Sequence, residues 1–161
     1  MSRVQLALNV SDLGAAVTFY AELFGVEPAK RRPGYANFAI DEPPLKLVLI
    51  EGGGAPGTLN HLGVEVGSTD EVAAATLRLA TAGLSTVTED EVACCYAVQD
   101  KVWVDDPDGA PWEVYTVLGE ADAPAGSLRA VAPDGSGPCC VPVGDAVGAV
   151  PGAQAPAPAP A

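Results

Sequence analysis

The sequence predicts an α+β fold built from two βαβββ modules, and three observations lead to this prediction. Segments with β-type alternation flank two segments in which apolar residues recur at helical spacing. The same order of segments occurs twice, on either side of a glycine-rich stretch. Beyond the second copy the composition shifts to Ala, Pro and Gly, which cannot build a packed core. We therefore expect one folded domain followed by a disordered Ala/Pro-rich C-terminal tail.

The first module, residues 1–51, begins with a strand and a helix. Arg3 to Val10 alternates like a β-strand, and Ser11-Asp12 supplies a helix N-cap. The helix is expected to stop at Gly25. Its apolar residues recur at helical spacing and are Leu13, Ala16, Val17, Tyr20, Leu23 and Phe24. The remaining elements are a basic turn at 30–34, interpreted as a solvated loop, and strands at 35–40 and 45–50.

The second module, residues 60–118, follows a glycine-rich linker at 52–59 and repeats the pattern. When the two modules are aligned with an offset of 56 residues, Gln5 matches His61, and each stands at the start of its module's first strand. In this alignment polar residues match polar residues and apolar residues match apolar ones, so an internal duplication is the simplest explanation of the repeat. The predicted elements are, in order, a strand at 60–66, a helix at 71–82, and strands at 84–88, 98–104 and 112–118.

The two modules are expected to form one domain at residues 1–119, with residues 120–161 as a flexible tail. Acidic residues outnumber basic ones 21 to 8, and this charge repels phosphate backbones and anionic membrane surfaces. The charge therefore argues against nucleic-acid and membrane partners. The chain has no apolar run long enough to span a bilayer and no signal-peptide pattern, so we expect a cytoplasmic protein.

Two adjacent cysteines, Cys94 and Cys95, stand in an acidic stretch at 89–97 that we expect to be a mobile loop between strands. A disulfide between sequence neighbours is strained, so both are expected to be thiols. A pair of thiolates is a soft chelate that suits thiophilic ions such as trivalent arsenic or cadmium. The alternative, that the cysteines are small half-buried apolar residues, stays open on these grounds.

The duplicated pattern, with Gln5 and His61 at equivalent positions and Glu113 after the Asp-Pro-Asp-Gly turn at 106–109, resembles the vicinal oxygen chelate superfamily. The resemblance implies a curled sheet that binds a divalent metal through Gln5, His61 and Glu113. The family's fourth ligand position, near Lys46, offers no carboxylate or imidazole. Three such ligands leave room for O₂ and substrate, as at facial-triad iron centres, so Fe(II) is the expected cofactor. The same ligands also accept Ni(II), Co(II) or Zn(II).

Within that superfamily, the Cys94-Cys95 pair ahead of the strand at 98–104 closely resembles the loop of ArsI-type organoarsenical carbon–arsenic lyases and the related cadmium-induced proteins. The resemblance implies that Cys94 and Cys95 capture a trivalent organoarsenical, such as methylarsonous acid or an aromatic arsenical. It also implies that the Fe(II) site uses O₂ to cleave the carbon–arsenic bond, releasing arsenite and, from a methyl group, formaldehyde. The expected function is arsenic detoxification by an Fe(II)-dependent, dioxygenase-type lyase.

Two other functions stay open. A non-catalytic protein that sequesters cadmium or arsenite would use the same thiols, and a drug-binding resistance module would need no metal at all. The second cysteine pair, Cys139 and Cys140, is either an accessory arsenic or metal site or an uninvolved part of the tail, and we favour the latter. Members of the superfamily often form homodimers, although two modules in one chain suffice to build the site.

Overall fold

The computed structural model describes residues 2–94 and 96–122, which form one curled sheet with two helices. The elements in chain order are β1 (Arg3–Val10), α1 (Leu13–Phe24), β2 (Lys30–Arg32), β3 (Tyr35–Ile40), β4 (Leu45–Glu51), β5 (Leu59–Glu65), α2 (Thr69–Thr81), β6 (Thr86–Cys94), β7 (Ala97–Asp105) and β8 (Pro111–Glu120). This order contains the two predicted βαβββ modules, so the predicted α+β fold is confirmed.

The eight strands form a single sheet in the order β2-β3-β4-β1-β5-β8-β7-β6. The first strands of the two modules, β1 and β5, pair antiparallel at its centre. Each also pairs in parallel with the last strand of its own module, β4 in the first and β8 in the second. First and last strands of both modules therefore lie side by side, and their alternate residues face the same side of the sheet.

Each helix packs on the strands of its own module. Asp12 caps α1 by accepting a hydrogen bond from the Ala15 N–H at 2.8 Å, and Gly25 ends this helix with a φ of 67°. The Ser68 hydroxyl accepts in the same way from the Glu71 N–H at the start of α2. The buried core between α1 and its strands consists of Leu13, Val17, Ala36, Phe38, Ile40, Leu47 and Leu49, and that between α2 and its strands of Val72, Ala75 and Val102. Within the described residues, neither helix is long and apolar enough to cross a membrane.

Residues 30–32 form a strand, where we predicted a turn. The strand β2 pairs antiparallel with β3, so that Lys30 lies opposite Asn37 and Arg32 opposite Tyr35. Three consecutive basic residues show no β-type alternation, so only the pairing partner reveals this edge strand. The prediction of a solvated loop is also wrong for Lys30, whose ammonium group bonds to the backbone of the second module at Tyr96.

The acidic stretch after residue 88 is mostly strand and not the mobile loop that we predicted. Strand β6 continues to Cys94, which lies opposite Ala97 of β7. A bulge after Glu89 takes up the irregular register, and the Asp100 carboxylate accepts a hydrogen bond from the Glu91 N–H at 2.8 Å. Cross-strand pairing therefore outweighs the low β-propensity of these acidic residues, and only two residues separate β6 from β7.

Candidate functional site

Gln5, His61 and Glu113 converge on one side of the sheet. The amide nitrogen of Gln5 lies 3.0 Å from Nε2 of His61 and 2.6 Å from Oε1 of Glu113. His61 Nε2 and Glu113 Oε1 are 3.5 Å apart. All three residues are buried, none of them more than 4% exposed. The structure therefore brings the three predicted metal-binding side chains close enough to share one small ion.

Strand pairing explains why these side chains meet. Gln5 of β1 and Glu113 of β8 both lie opposite Gly63 of β5. Because Gly63 has no side chain, the other two side chains can meet above it. A Cβ at this position would lie 3.0 Å from Cγ of Glu113 and 3.3 Å from Cβ of Gln5. His61 precedes Gly63 by two residues and so faces the same side of the sheet.

Asn60 determines which nitrogen of His61 faces the site. The Asn60 amide nitrogen donates to Oδ1 of Asn9 at 2.9 Å, so the Asn60 oxygen is the acceptor for His61 Nδ1, 2.7 Å away. His61 therefore carries its proton on Nδ1 and turns an unprotonated Nε2 toward Gln5 and Glu113. An imidazole held in this way is the usual state of a metal-binding histidine.

Lys101 holds the other oxygen of Glu113. Its Nζ donates to Oε2 of Glu113 at 2.8 Å, and the lysine is only 1% exposed. Burial alone raises the pKa of Glu113, but the positive charge and the hydrogen bond of Lys101 act against it, and this pKa is held well below its usual range. Burial lowers the pKa of Lys101, but Glu113 and then Cys94 reverse that effect and raise it. Glu113 is therefore an ionised carboxylate whose Oε1 faces the site.

The Gln5 amide has its nitrogen toward the site and its oxygen toward Tyr115. Oε1 of Gln5 accepts a hydrogen bond from the Tyr115 hydroxyl at 2.6 Å. A metal would bind the oxygen, so the amide has to rotate by half a turn. The Tyr115 hydroxyl can then accept from the amide nitrogen, since a hydroxyl both donates and accepts, and its proton can turn to Oε2 of Glu65, 3.4 Å away.

Cys94 lies on the same small cavity as these polar residues. The cavity measures about 20 Å³, which is room for a water molecule or an ion. Cys94 itself is 4% exposed. The other walls of the cavity, besides Cys94 and the three converging residues, are Tyr35, Lys46, Val48, Gln99, Lys101 and Trp103. The structure therefore places a thiol and the predicted metal-binding residues around one cavity.

The turn that follows Cys94 is fastened to the rest of the sheet through Tyr96. The backbone oxygen of Tyr96 accepts hydrogen bonds from Lys30 Nζ at 2.9 Å and from the Ala121 N–H at 3.1 Å. The buried Tyr96 ring packs on Tyr35, with ring centroids 5.9 Å apart. Lys30 also forms an ion pair with Glu120. We refer to the contacts among Lys30, Tyr35, Tyr96, Glu120 and Ala121 as the rim contacts, and they hold Tyr96 against the rest of the sheet.

The donor set fits a divalent metal with three protein ligands. An unprotonated imidazole, a carboxylate oxygen and, after rotation, an amide oxygen leave positions for other ligands. Lys46 lies opposite Gln5 on β4, where the family's fourth ligand is expected, and its ammonium group cannot bind a metal. Within residues 2–94 and 96–122, no three or more His, Cys, Asp and Glu side chains are grouped to hold a metal, so this site depends on the amide of Gln5.

Sequence reasoning singled out the polar residues of the site but not the residues that position them. Asn60 was missed and Lys30 was assigned to a solvated loop, because nothing in their spacing distinguishes a positioning side chain from an ordinary strand or turn residue. Cys95, Cys139 and Cys140 lie outside the described residues, and their roles stay predictions.

Comparison with known sequences identifies the family. The sequence model of the glyoxalase/bleomycin resistance protein/dioxygenase superfamily matches residues 3–114. The chain belongs to this superfamily. This superfamily member is 59% identical over 155 residues to the trivalent organoarsenical cleaving enzyme of Thermomonospora curvata, covering 92% of this chain and 98% of that protein. It is 66% identical over 122 residues to the cadmium-induced protein CadI of Mycobacterium tuberculosis, covering 76% and 80% of the two chains.

Solved structures show the same fold for this superfamily member. The Mn(II)-bound glyoxalase of Novosphingobium aromaticivorans superposes with a TM-score of 0.54 at 22% identity, over 80% of this chain and 44% of that one. An extradiol ring-cleaving dioxygenase from B. fuscum gives a TM-score of 0.54 at 20% identity, over 74% and 34% of the two chains. At these identities the likeness establishes the fold alone.

Proposed function

We propose that this protein is an Fe(II)-dependent enzyme that uses O₂ to cleave the carbon–arsenic bond of trivalent organoarsenicals, including methylarsonous acid and trivalent aromatic arsenicals. The observation that carries the proposal is the single cavity bounded by Cys94 and by the set of Gln5, His61 and Glu113. A soft thiol for arsenic and a three-ligand metal site open to O₂ are the two chemistries that this cleavage needs. Similarity to a protein named trivalent organoarsenical cleaving enzyme supports it.

Gln5, His61 and Glu113 would hold the metal, which supplies O₂ binding and activation when bound. Asn60 keeps the proton of His61 on Nδ1, so that Nε2 stays available. Lys101 neutralises Glu113 and fixes its carboxylate in one orientation. Burial of these side chains limits the number of water molecules at the place where arsenic, its carbon substituent and O₂ would meet.

Cys94, with Cys95 beside it in the sequence, would bind arsenic through sulfur. A cavity of about 20 Å³ is too small for methylarsonous acid, so the turn after Cys94 has to move when substrate enters. Arsenic held on Cys94 brings its carbon substituent beside the metal-binding residues, and this proximity lowers the barrier. Methylarsonous acid and O₂ together contain the atoms of arsenite and formaldehyde, and the electrons also balance, so cleavage needs no further reductant.

Sequestration is a second candidate function, supported by the 66% identity to a cadmium-induced protein. A protein that only stores cadmium or arsenite would use Cys94 and Cys95 and would need no O₂. It would bind its ion in a fixed ratio to the protein and would release no arsenite from an organoarsenical.

The two functions are separated by supplying anaerobically purified protein with Fe(II) and methylarsonous acid, then adding O₂ and measuring arsenite by chromatography with arsenic-specific detection. We expect arsenite to exceed the protein concentration, as repeated turnover requires. Thiol-dependent binding in a fixed ratio, with no arsenite released after O₂ is added, would leave sequestration as the function.

Two variants test the two parts of the site separately. His61→Ala is expected to lose the metal and still bind the arsenical, whereas Cys94→Ser is expected to keep the metal and lose arsenical capture. Arg78→Gln, on the exposed side of α2, is the matched control and should retain both. A His61→Ala variant with full iron content would show that the metal ligands are wrongly assigned.

A further inference from the structure

A second, larger cavity adjoins the cavity of the proposed metal site. Its volume is about 200 Å³, and the two cavities share Tyr35, Lys46 and Gln99 as walls. An apolar cavity of about 150 Å³ is large enough for benzene. The larger cavity can therefore take a substituted aromatic ring, which the metal cavity of about 20 Å³ cannot.

The lining of the larger cavity carries an excess of positive charge. Three of the eight Lys and Arg residues of the chain line it: Arg3, Lys30 and Lys46. Lys30 has its own carboxylate at the rim, Glu120. Arg3 and Lys46 instead share Glu65, at N–O distances of 3.0 and 3.7 Å. Within the part of the chain that the structure describes, two cations around one carboxylate leave an excess of one positive charge, although the net charge of the chain is −13.

A buried amide on the shared wall of the two cavities has an oxygen that no described residue contacts by a hydrogen bond. Oε1 of Gln99 has no hydrogen-bond partner among residues 2–94 and 96–122, although the residue is only 5% exposed. Buried polar atoms in proteins are nearly always hydrogen-bonded, so an unpartnered one on a cavity wall points to a polar ligand. The Gln99 amide can present its oxygen or, after rotation, its nitrogen to such a ligand. An unsubstituted ring would leave this amide unsatisfied.

We propose that this larger cavity binds the organic substituent of the arsenical and selects aromatic rings that carry an anionic group. The inference rests on the function proposed above, because it takes arsenic to be held at Cys94. The Arg3 guanidinium offers paired donors that match a carboxylate, and the Lys46 ammonium adds a point charge. Gln99 supplies the neutral polar contact at the entrance to the metal cavity.

The test compares phenylarsonous acid with 4-carboxyphenylarsonous acid as substrates of the iron-loaded enzyme. We expect the wild-type protein to have the higher kcat/KM for the carboxylated substrate. The ratio of the two kcat/KM values should fall about tenfold in Arg3→Gln and in Lys46→Met, since each removes a charge-assisted contact to the carboxylate. Using the ratio cancels any effect of these variants on folding or on the metal. Arg78→Gln should leave the ratio unchanged.

A second measurement separates this inference from carbon–arsenic cleavage itself. The affinities of the two arsenicals are measured without O₂ from the change in tryptophan fluorescence. Tighter binding of the carboxylated arsenical without arsenite release would support the cavity assignment and overturn cleavage. Arsenite release from both arsenicals with no preference between them, or a ratio that neither variant changes, would overturn the cavity assignment and leave cleavage in place.

Discussion

Glu113 is a carboxylate buried between a lysine and a histidine, and its charge has structural consequences beyond any role in binding metal. Removing a carboxylate and an ammonium group from water is costly, and the cost is recovered only when the two stay paired in good geometry. The Nζ of Lys101 lies 2.8 Å from Oε2 of Glu113, and both residues are almost fully buried. Lys101 is therefore part of the site although it would not bind the metal.

We expect Lys101→Met to destabilise the metal-free protein by about 3–5 kcal/mol near neutral pH, because Glu113 is left charged and buried without its main partner. In the wild-type protein the pKa of Glu113 lies below its unfolded value of 4.5, so its contribution to stability is present above pH 4.5 and is lost as the pH falls through the folded pKa. Without Lys101, burial raises this pKa, and stability is instead lost as the pH rises above 4.5. Urea unfolding from acidic to neutral pH measures how the unfolding free energy changes with pH in the wild-type protein and in Lys101→Met.

The double variant Lys101→Met/Glu113→Gln is the control for charge. It should recover most of the lost unfolding free energy and show little pH dependence near pH 4.5, the unfolded pKa of Glu113. Equal losses in the single and double variants would mean that Lys101 contributes through packing and not through its charge.

At the level of secondary-structure elements, the site depends on the pairing of β1, β5 and β8. These strands come from both modules, and the register sets Gln5 and Glu113 on either side of Gly63. A glycine is needed here because the two flanking side chains approach above it and because the site must be accurate to a fraction of an ångström. The missing side chain on β5 is therefore as important to the site as the side chains that are present.

Gly63→Ala tests this geometry. The added Cβ would lie 3.0 Å from Cγ of Glu113 and force Glu113 and Gln5 apart, so we expect affinity for Fe(II) or Co(II) to fall about tenfold or more. Gly119→Ala on β8 is the matched control, since a Cβ there would have no atom of the described residues within 4 Å. Anaerobic metal titration measures both variants. Unchanged metal affinity in Gly63→Ala would show that the close approach over β5 does not determine the site.

On the scale of the whole molecule, the rim contacts join the edge strand of the first module to the second module. Lys30 comes from the edge strand of the first module, whereas Tyr96 and Glu120 come from the second. These contacts also use the last described residues of the chain, because the Ala121 N–H donates to the Tyr96 oxygen. The end of β8 therefore helps to hold the turn that follows Cys94.

Two truncations distinguish the end of β8 from the tail beyond it. Ending the chain after Asp122 keeps every rim contact and should leave the reactivity of Cys94 unchanged. Ending it after Leu118 removes Glu120 and Ala121, and alkylation of Cys94 should then be about tenfold faster, since each lost hydrogen bond contributes about 0.5–1.5 kcal/mol. Peptide mapping after timed alkylation measures the rates. Equal rates in the two truncated proteins would contradict a role for the rim contacts.

The sequence by itself determined the duplication and, apart from β2, the order of helices and strands in the two modules, since apolar spacing and helix caps are local properties that a single chain displays directly. It also singled out Gln5, His61 and Glu113, because the duplication and the family resemblance can both be recognised from which residue stands at which position. It did not reveal β2 or the second half of β6, whose basic and acidic residues become strands only through pairing with β3 and β7.

Only the tertiary structure decided how the site is positioned. The proton on His61, the pairing of Lys101 with Glu113 and the orientation of the Gln5 amide all depend on neighbours supplied by other strands. The sequence also could not predict that Cys94 shares a cavity with these residues, because strand pairing and the rim contacts place Cys94 at that cavity. Local patterns specify elements, whereas hydrogen-bond partners and charge pairs distant in sequence are set by how the sheet curls.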